Sequence, residues 1–358
     1  MADAIEQMKQ LLAGCQNPAT REAAEAKLNA LRQENLGTLL GLLAQFLRAE
    51  QGDAASVPLR QQAGLYIKMC ISGRTEETQR AASGAWLRIP PPIRAQIKPI
   101  LLETLSSAQG AARSTAANVI AALGTIELTV AALVGGGLEG DGNPAALSAA
   151  GGAECKAALA TGSPGLWPEL LPTLLANVTQ AASNEVKHAS LECLGYLCQN
   201  LKDEPGVFEL PDPTEAEDPG QEGDVLTAPG LGGRGLSQEQ TNQVLTAIVD
   251  GMRADRDERI RLVATHALLN SITFLHKNFG VKAERDVIMQ VLCEATQCRS
   301  AACGEQVRVT AYQTINEIAY FYYEHIGGYM QVGRMRERER DDGVGCARSC
   351  CCCCCCCC

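Results

Sequence analysis

The sequence predicts an all-α protein made of stacked helix pairs, and three observations carry that prediction. Apolar residues make up 46% of the 358-residue chain but aromatics only 4%, the balance of a core filled by Leu, Ala, Val and Ile. Three stretches match one another: "EVKHASLECLGYL" (185–197), "ERIRLVATHALLNSI" (258–272) and "EQVRVTAYQTINEI" (305–318). Each places a base after an aliphatic residue near its start, as Val186-Lys187, Ile260-Arg261 and Val307-Arg308, and then repeats apolar residues at helical spacing. A separate amphipathic helix precedes each stretch: "WPELLPTLLANVTQ", "SQEQTNQVLTAIVDGMR" and "KAERDVIMQVLCEATQ".

Helix pairs that recur about every 40–47 residues indicate a HEAT-type α-solenoid. The 47-residue step from Ile260 to Val307 fits that period. Taken from the start, the spacing predicts a helix over 3–14 paired with 18–33, then 36–49 paired with 56–72. Thr75 can cap the next helix, "EETQRAASGAWL", with Glu76 and Glu77 suiting the first-turn dipole. The reciprocal capping box is not expected there, because Thr78 stands three residues on. Pro90, Pro91 and Pro92 end that helix near Arg88. A third pair covers 93–107 and 111–127, and a fourth 167–180 and 185–197. Ser237 with Gln240 forms a capping box ahead of Val244, Leu245, Ile248, Val249 and Met252, which opens the fifth pair. The sixth pair ends near Tyr323.

The repeats thus occupy 1–129, 166–202 and 237–330. Two inserts separate them: a Gly/Ala-rich stretch over 130–165 and an acidic one over 203–236 that holds nine acidic residues and five prolines. Neither composition buries enough apolar surface to offset the entropy of ordering it, so both are expected to be disordered loops. Residues 331–358 form a third irregular region, where "QVGRMRERERDDGVG" leads to nine consecutive cysteines, Cys350 to Cys358. Consecutive cysteines cannot all ligate one ion, whereas spaced C-x₂-C pairs can. The tail reads as a shifted frame or misplaced exon boundary, with a metal-binding or redox tail as the alternative; the inserts admit a retained-intron reading too.

Charge and residue usage exclude several function classes. A net charge of −10 argues against direct nucleic-acid binding and suits basic protein partners. The N-terminus "MADAIEQMKQLLAGCQ" is an amphipathic helix and not a signal peptide, and no apolar run reaches the ~18–20 residues that span a bilayer. Most of the eight cysteines before the tail sit at apolar helix positions, so a reducing, soluble, intracellular protein is expected. Cys293, Cys298 and Cys303, five apart, spiral around a helix, and His188, His266, His276 and His325 are scattered, so no metal site is expected. No phosphate loop, nucleophile elbow or catalytic cysteine–histidine set stands out, and neither an enzyme nor a cofactor is expected.

Five fragments in register, "LWPELLPTLLANVT", "LECLGYLCQNL", "LTAIVDGMR", "VATHALLNSITFLHKNF" and "VIMQVLCEATQC", resemble the N-terminal third of the importin-β (karyopherin-β) family of nuclear transport receptors. The resemblance runs from about residue 3 to Met330, apart from the two inserts. It implies a HEAT superhelix that shuttles between cytoplasm and nucleus through the nuclear pore. It also implies binding of the small GTPase Ran in its GTP state and of Phe-Gly nucleoporins. An importin-α adaptor or basic cargo would be a third partner, gripped mostly by later repeats that are expected to be missing.

Lys68 and Arg74, at the end of "LRQQAGLYIKMCISGR", match basic positions facing Ran. As cations at a helix C-terminus they can equally serve the local dipole. Arg60 and Tyr66 lie in the same stretch and can simply pack. Leu245, Thr246 and Val249 on one helix, with Glu284, Val287 and Ile288 on the next first helix, match the nucleoporin groove; the family commonly has an aromatic where Val287 stands. On spacing alone such a stripe reads equally as inter-helix core. The acidic run from Asp203 to Asp224 can attract a basic cargo, or act as a solvated linker. The rival to a transport receptor is a nucleotide-independent HEAT scaffold, which shares the same architecture.

Overall fold

The computed structural model describes residues 2–49, 56–135, 167–202 and 236–327, together with Tyr329, and they contain helices and no strand. The greater parts of both inserts and all of the cysteine tail lie outside these residues. The chain forms two compact units, Met1–Leu197 and Cys198–Cys358.

The first unit holds α1 (Ala2–Gln16), α2 (Arg21–Glu34), α3 (Leu36–Arg48), α4 (Ser56–Ile71), α5 (Glu76–Arg88), α6 (Pro91–Thr104), α7 (Gly110–Gly135), α8 (Leu170–Gln180) and most of α9 (Asn184–Lys202). Helices pair as expected, α1 on α2, α3 on α4 and α6 on α7. Successive pairs then stack first helix on first, α3 on α6, and second on second, α4 on α7. The second unit holds α10 (Gln238–Met252), α11 (Glu258–Ser271), a 3-10 turn (Ile272–Phe274), α12 (His276–Gly280), α13 (Lys282–Thr296) and α14 (Gly304–Phe321). Here α10 pairs with α11 and α13 with α14, while α11 packs on α14 and α10 on α13. This is the HEAT-type arrangement that the period predicts.

Burial explains why these stripes face inward. Leu39, Leu40, Leu43, Ala44, Phe46 and Leu47 of α3 are all fully buried, so α3 is covered on most of its circumference. Its partners on three sides are α4, α6 and α1. In α7, Ala116, Ala117 and Ala121 are likewise buried, and small side chains let α4 come close. Gly64 of α4 marks the nearest approach, because a Cβ there would lie 2.2 Å from Thr115 Cγ2. Any larger residue at 64 would push α4 and α7 apart.

The structure departs from the sequence expectation in several places, of which three have a clear local cause. Thr75 does form a reciprocal capping box: its Oγ1 accepts the Thr78 N–H at 3.3 Å, and Thr78 Oγ1 accepts the Thr75 N–H at 2.9 Å. A threonine hydroxyl completes the box as well as a Glu or Gln carbonyl would, since all the N-cap N–H needs is an oxygen in reach. Helix α6 starts at Pro91, two residues before the expected 93. Proline suits a first turn, where its missing N–H has no partner to lose. Helix α7 runs to Gly135, so the first six residues of the expected Gly/Ala-rich loop are helical. "VAALVG" is composed mostly of residues that propagate a helix already nucleated upstream. The capping box at Ser237 and Gln240 forms as expected.

A repeated arginine fastens the turn within a pair. Near the start of a second helix, its guanidinium donates to carbonyls at the end of the first, where helical partners run out. Arg21 reaches Cys15 O at 3.0 Å, Arg60 reaches Leu47 O at 2.8 Å, and Arg113 reaches Ser107 O at 2.7 Å. In the second unit Arg261 reaches Met252 O at 3.2 Å and Arg308 reaches Cys298 O at 2.5 Å. Two of these arginines also reach the next pair's turn: Arg60 Nη2 donates to Ser107 Oγ at 2.9 Å, and Arg261 Nη1 to Cys298 Sγ at 3.2 Å. In each case one buried cation ties two consecutive pairs. The remaining matched stretch carries a lysine, Lys187, at the corresponding position, where a point charge replaces the guanidinium fork.

A second buried charge group joins α5, α6 and α7. The Glu127 carboxylate, with a fully buried side chain, accepts from Arg94 at 3.2 Å, from Lys98 at 2.7 Å and from the Trp86 indole N–H at 3.0 Å. Lys98 also sits 5.5 Å from the Trp167 ring centroid, a cation–π distance. Burial pushes the Lys98 ammonium below its usual range, and the Glu127 carboxylate opposes that shift without cancelling it.

Candidate functional sites

The first candidate surface lies at the C-terminus of α4. Lys68 is half-buried in the last turn, and Arg74 is exposed at the bend that leads into α5. Gly73 makes that bend possible. A Cβ there would lie 2.2 Å from the Gln79 backbone nitrogen, and the Gly73 N–H donates to Gln79 Oε1 at 2.8 Å. The arginine is thus presented directly ahead of the first turn of α5. Tyr66 is half-buried, and its hydroxyl meets Asn29 Oδ1 of α2 at 3.4 Å. Burial raises the Tyr66 hydroxyl and pushes the Cys70 thiol up to about 11, with Arg32 of α2 drawing both the other way. Arg60, on the same helix, is 1% exposed and spent on the turn described above, so it is not part of the surface.

Sequence reasoning missed Leu65 and Met69, which stand 56% and 52% exposed on α4. Its core stripe is Leu59, Ala63, Ile67 and Cys70. Leu65 and Met69 fall out of phase with that stripe, which was the available signal. Together with Lys68 they make a mixed apolar and basic face.

The second candidate surface lies where α10 and α13 pack side by side. The structure divides the expected residues between core and surface. Leu245 and Ile288 are buried, at 5% and 4% exposure; Val249 is half-buried; Thr246, Glu284 and Val287 are exposed. Leu245 and Ile288 thus supply a floor, and Val287 with Thr246 a rim. The Thr246 hydroxyl donates to Asn242 O at 2.7 Å. Glu284 accepts from Asn278 Nδ2 at 2.6 Å. Asn278, in the short helix α12, was not singled out in the sequence.

A cleft of about 560 Å³ opens in the first unit, lined by residues of 29–37 and 85–90 that include Arg32, Asn35 and Arg88. No group of three or more His, Cys, Asp or Glu among the described residues is placed to hold a metal ion, and none of the described helices is long and apolar enough to cross a membrane.

With this geometry in view, the comparisons with known proteins can be set out. No family model matches the chain. Importin subunit beta-1 of Arabidopsis thaliana is 30% identical over 346 residues, which cover 94% of this chain and 31% of that protein. The chain belongs to the importin-β family. Importin subunit beta-1 of Schizosaccharomyces pombe is 29% identical, over 86% of this chain and 28% of its own length. The chain therefore spans about a third of the length of these curated importin-β relatives. Among solved structures, yeast importin-β (Kap95p) superposes with a TM-score of 0.66 at 25% identity, covering 91% of this chain and 30% of that one. A second Kap95p structure, whose binding induces the switch loops of RanGDP to adopt the GTP-bound conformation, matches with a TM-score of 0.65 at 25% identity, over 91% of this chain and 30% of that one.

Proposed function

We propose that this importin-β family chain acts in nuclear import as a receptor that binds Ran-GTP and Phe-Gly nucleoporins to carry proteins into the nucleus. The observation that carries the reading is the 30% identity to an importin subunit beta-1 across 94% of the chain. The likeness to a Kap95p structure that acts on the switch loops of Ran supports the nucleotide-dependent partner. Ran would meet the α4 face: Lys68 and Arg74 supply charge, and Leu65 and Met69 supply apolar contact beside them. The slot over Leu245, Val249 and Ile288, rimmed by Thr246, Glu284 and Val287, would take a phenylalanine ring. Several such weak slots used together give fast multivalent contact. A chain of net charge −10 suits a basic cargo or the basic segment of an importin-α adaptor. Release follows from linkage: if Ran-GTP and cargo favour different conformations of a flexible array, binding of one weakens the other by the same factor.

The test is a binding measurement on the full chain with Ran loaded with GTP or with GDP at physiological salt. The GTP form should be retained preferentially, and Lys68→Glu with Arg74→Glu should weaken it about tenfold or more, a charge reversal at two contacts. Equal retention of both forms by a folded, helical sample would turn the reading toward a nucleotide-independent scaffold.

A further inference from the structure

Asn278 is 5% exposed, although it sits in a helix of only five residues between two long ones. Its side-chain amide is fully used. Nδ2 donates to Asn242 Oδ1 of α10 at 2.8 Å and to Glu284 Oε2 of α13 at 2.6 Å. Oδ1 accepts from Gln238 Nε2 of α10 at 3.3 Å, and the same Gln238 amide donates to Asn242 Oδ1 at 2.8 Å. One buried amide thus links α10 and α13, the two helices that flank the proposed slot. Its donors are matched by two acceptors, and a carboxylate is among them, which makes that arm the stronger one.

We propose that Asn278 is a positioning residue that sets the spacing of α10 and α13, and with it the affinity of the slot for a phenylalanine-containing peptide. The inference rests on the slot reading given under the proposed function. A ring inserted between two helices gains from close packing on both walls, so a slot held at the right width binds and one loosened by about an ångström does not. The clip also fixes the Glu284 rotamer. Glu284 Oε2 is taken by Asn278, while Oε1 has no partner among the described residues. The carboxylate, no longer free to swing, offers Oε1 to a backbone N–H of the peptide next to its ring. Asn242 and Gln238 complete the device from α10. All four residues are polar and stand beside the apolar floor, so none competes with the ring for Leu245 or Ile288.

The experiment titrates the full chain into a fluorescein-labelled peptide carrying Phe-Gly repeats and follows anisotropy. Asn278→Asp replaces the donating amide by an acceptor, facing Asn242 Oδ1 and the Glu284 carboxylate, and should weaken binding about tenfold. Asn278→Asp with Glu284→Gln restores a donor–acceptor pair with the roles reversed, and affinity should return to within about threefold of the natural chain. Asn242→Leu cuts the α10 arm from an exposed position, keeps the test available should Asn278→Asp fail to fold, and should weaken binding about threefold or more. Val287→Asp tests the slot itself. If the natural chain does not bind the peptide, or Val287→Asp binds as well as it does, the slot reading fails. If Val287→Asp loses binding while the folded Asn278→Asp and Asn242→Leu variants keep it, the Asn278 inference alone is overturned. Loss of binding in Asn278→Asp without rescue by Glu284→Gln also overturns it, since a general loss of structure would not depend on that partner.

Discussion

Replacing Arg60 by methionine isolates what the arginine at a pair turn contributes. The side chain is 1% exposed and donates to Leu47 O at 2.8 Å, to Ser107 Oγ at 2.9 Å and, more weakly, to Arg48 O at 3.5 Å. A hydrogen bond from a charged donor is worth about 1.5–3 kcal/mol net, and an orphaned buried acceptor costs about 1–3 kcal/mol. Methionine keeps most of the stem packing and relieves the burial of a charge, which offsets part of the loss. The bonds share one donor group and do not add, so the net cost is about 3 kcal/mol. With a urea slope of about 2 kcal/mol/M, the midpoint followed by circular dichroism should fall by about 1.5 M. Arg60 also joins the α3–α4 turn to the α6–α7 turn, so the transition should broaden as neighbouring pairs uncouple. Arg259→Met, at an exposed site, should stay within about 0.5 kcal/mol of the natural chain. A midpoint shift for Arg60→Met no larger than that of Arg259→Met would refute the reasoning.

Two further outcomes follow from the same structure. Glu127→Gln leaves Arg94 and Lys98 buried without their shared carboxylate and should destabilise the first unit by about 3–5 kcal/mol, read by thermal or urea unfolding. Burial holds the His266 imidazole below its usual pKa of 6.5, so between that value and the folded one the unfolded chain binds more protons. Stability should be full above about pH 6.5 and fall on acidification, and His266→Gln should flatten this slope.

How far the sequence could be read depends on the range of each interaction. Local periodicity placed the helix pairs, because the apolar stripe of α3 or α13 repeats within a few turns. The capping box at Ser237 was legible for the same reason, as its partner stands three residues away. The bases after Ile260 and Val307 were visible too, but the carbonyls they serve belong to the preceding helix, and pattern alone does not name a partner. Arg60 could be read as a partner contact or as packing until its acceptors at the two turns were seen. Glu127 had no sequence signal at all, since Lys98 and Arg94 lie 29 and 33 residues away and each alone reads as an ordinary surface charge. At the proposed slot the spacing put Leu245 and Ile288 on apolar stripes of their helices, but could not say which of the six residues are buried and which are exposed. That division depends on the depth to which α10 and α13 interlock. Asn278 escaped notice because five residues are too few to show a period.

The arginine-fastened turns also bear on where this chain can change length. The connections they close, 17–20, 49–55, 105–109, 253–257 and 297–303, are all short. Both long additions fall elsewhere, one between α7 and α8 and the other between α9 and α10, where a second helix hands over to the next first helix. A turn pinned at its mouth by an arginine tolerates little extra sequence; the same pin recurs at two short handovers, Arg94 to Ile89 O at 3.1 Å and Arg285 to Phe279 O, and among the described residues none flanks either long addition. Pinned and unpinned junctions therefore differ in what they accept from gene-level accidents and from the protein engineer alike. A fluorescent reporter spliced between α9 and α10 should leave both flanking pairs intact, while the same reporter placed between α10 and α11 should cost the protein its fold.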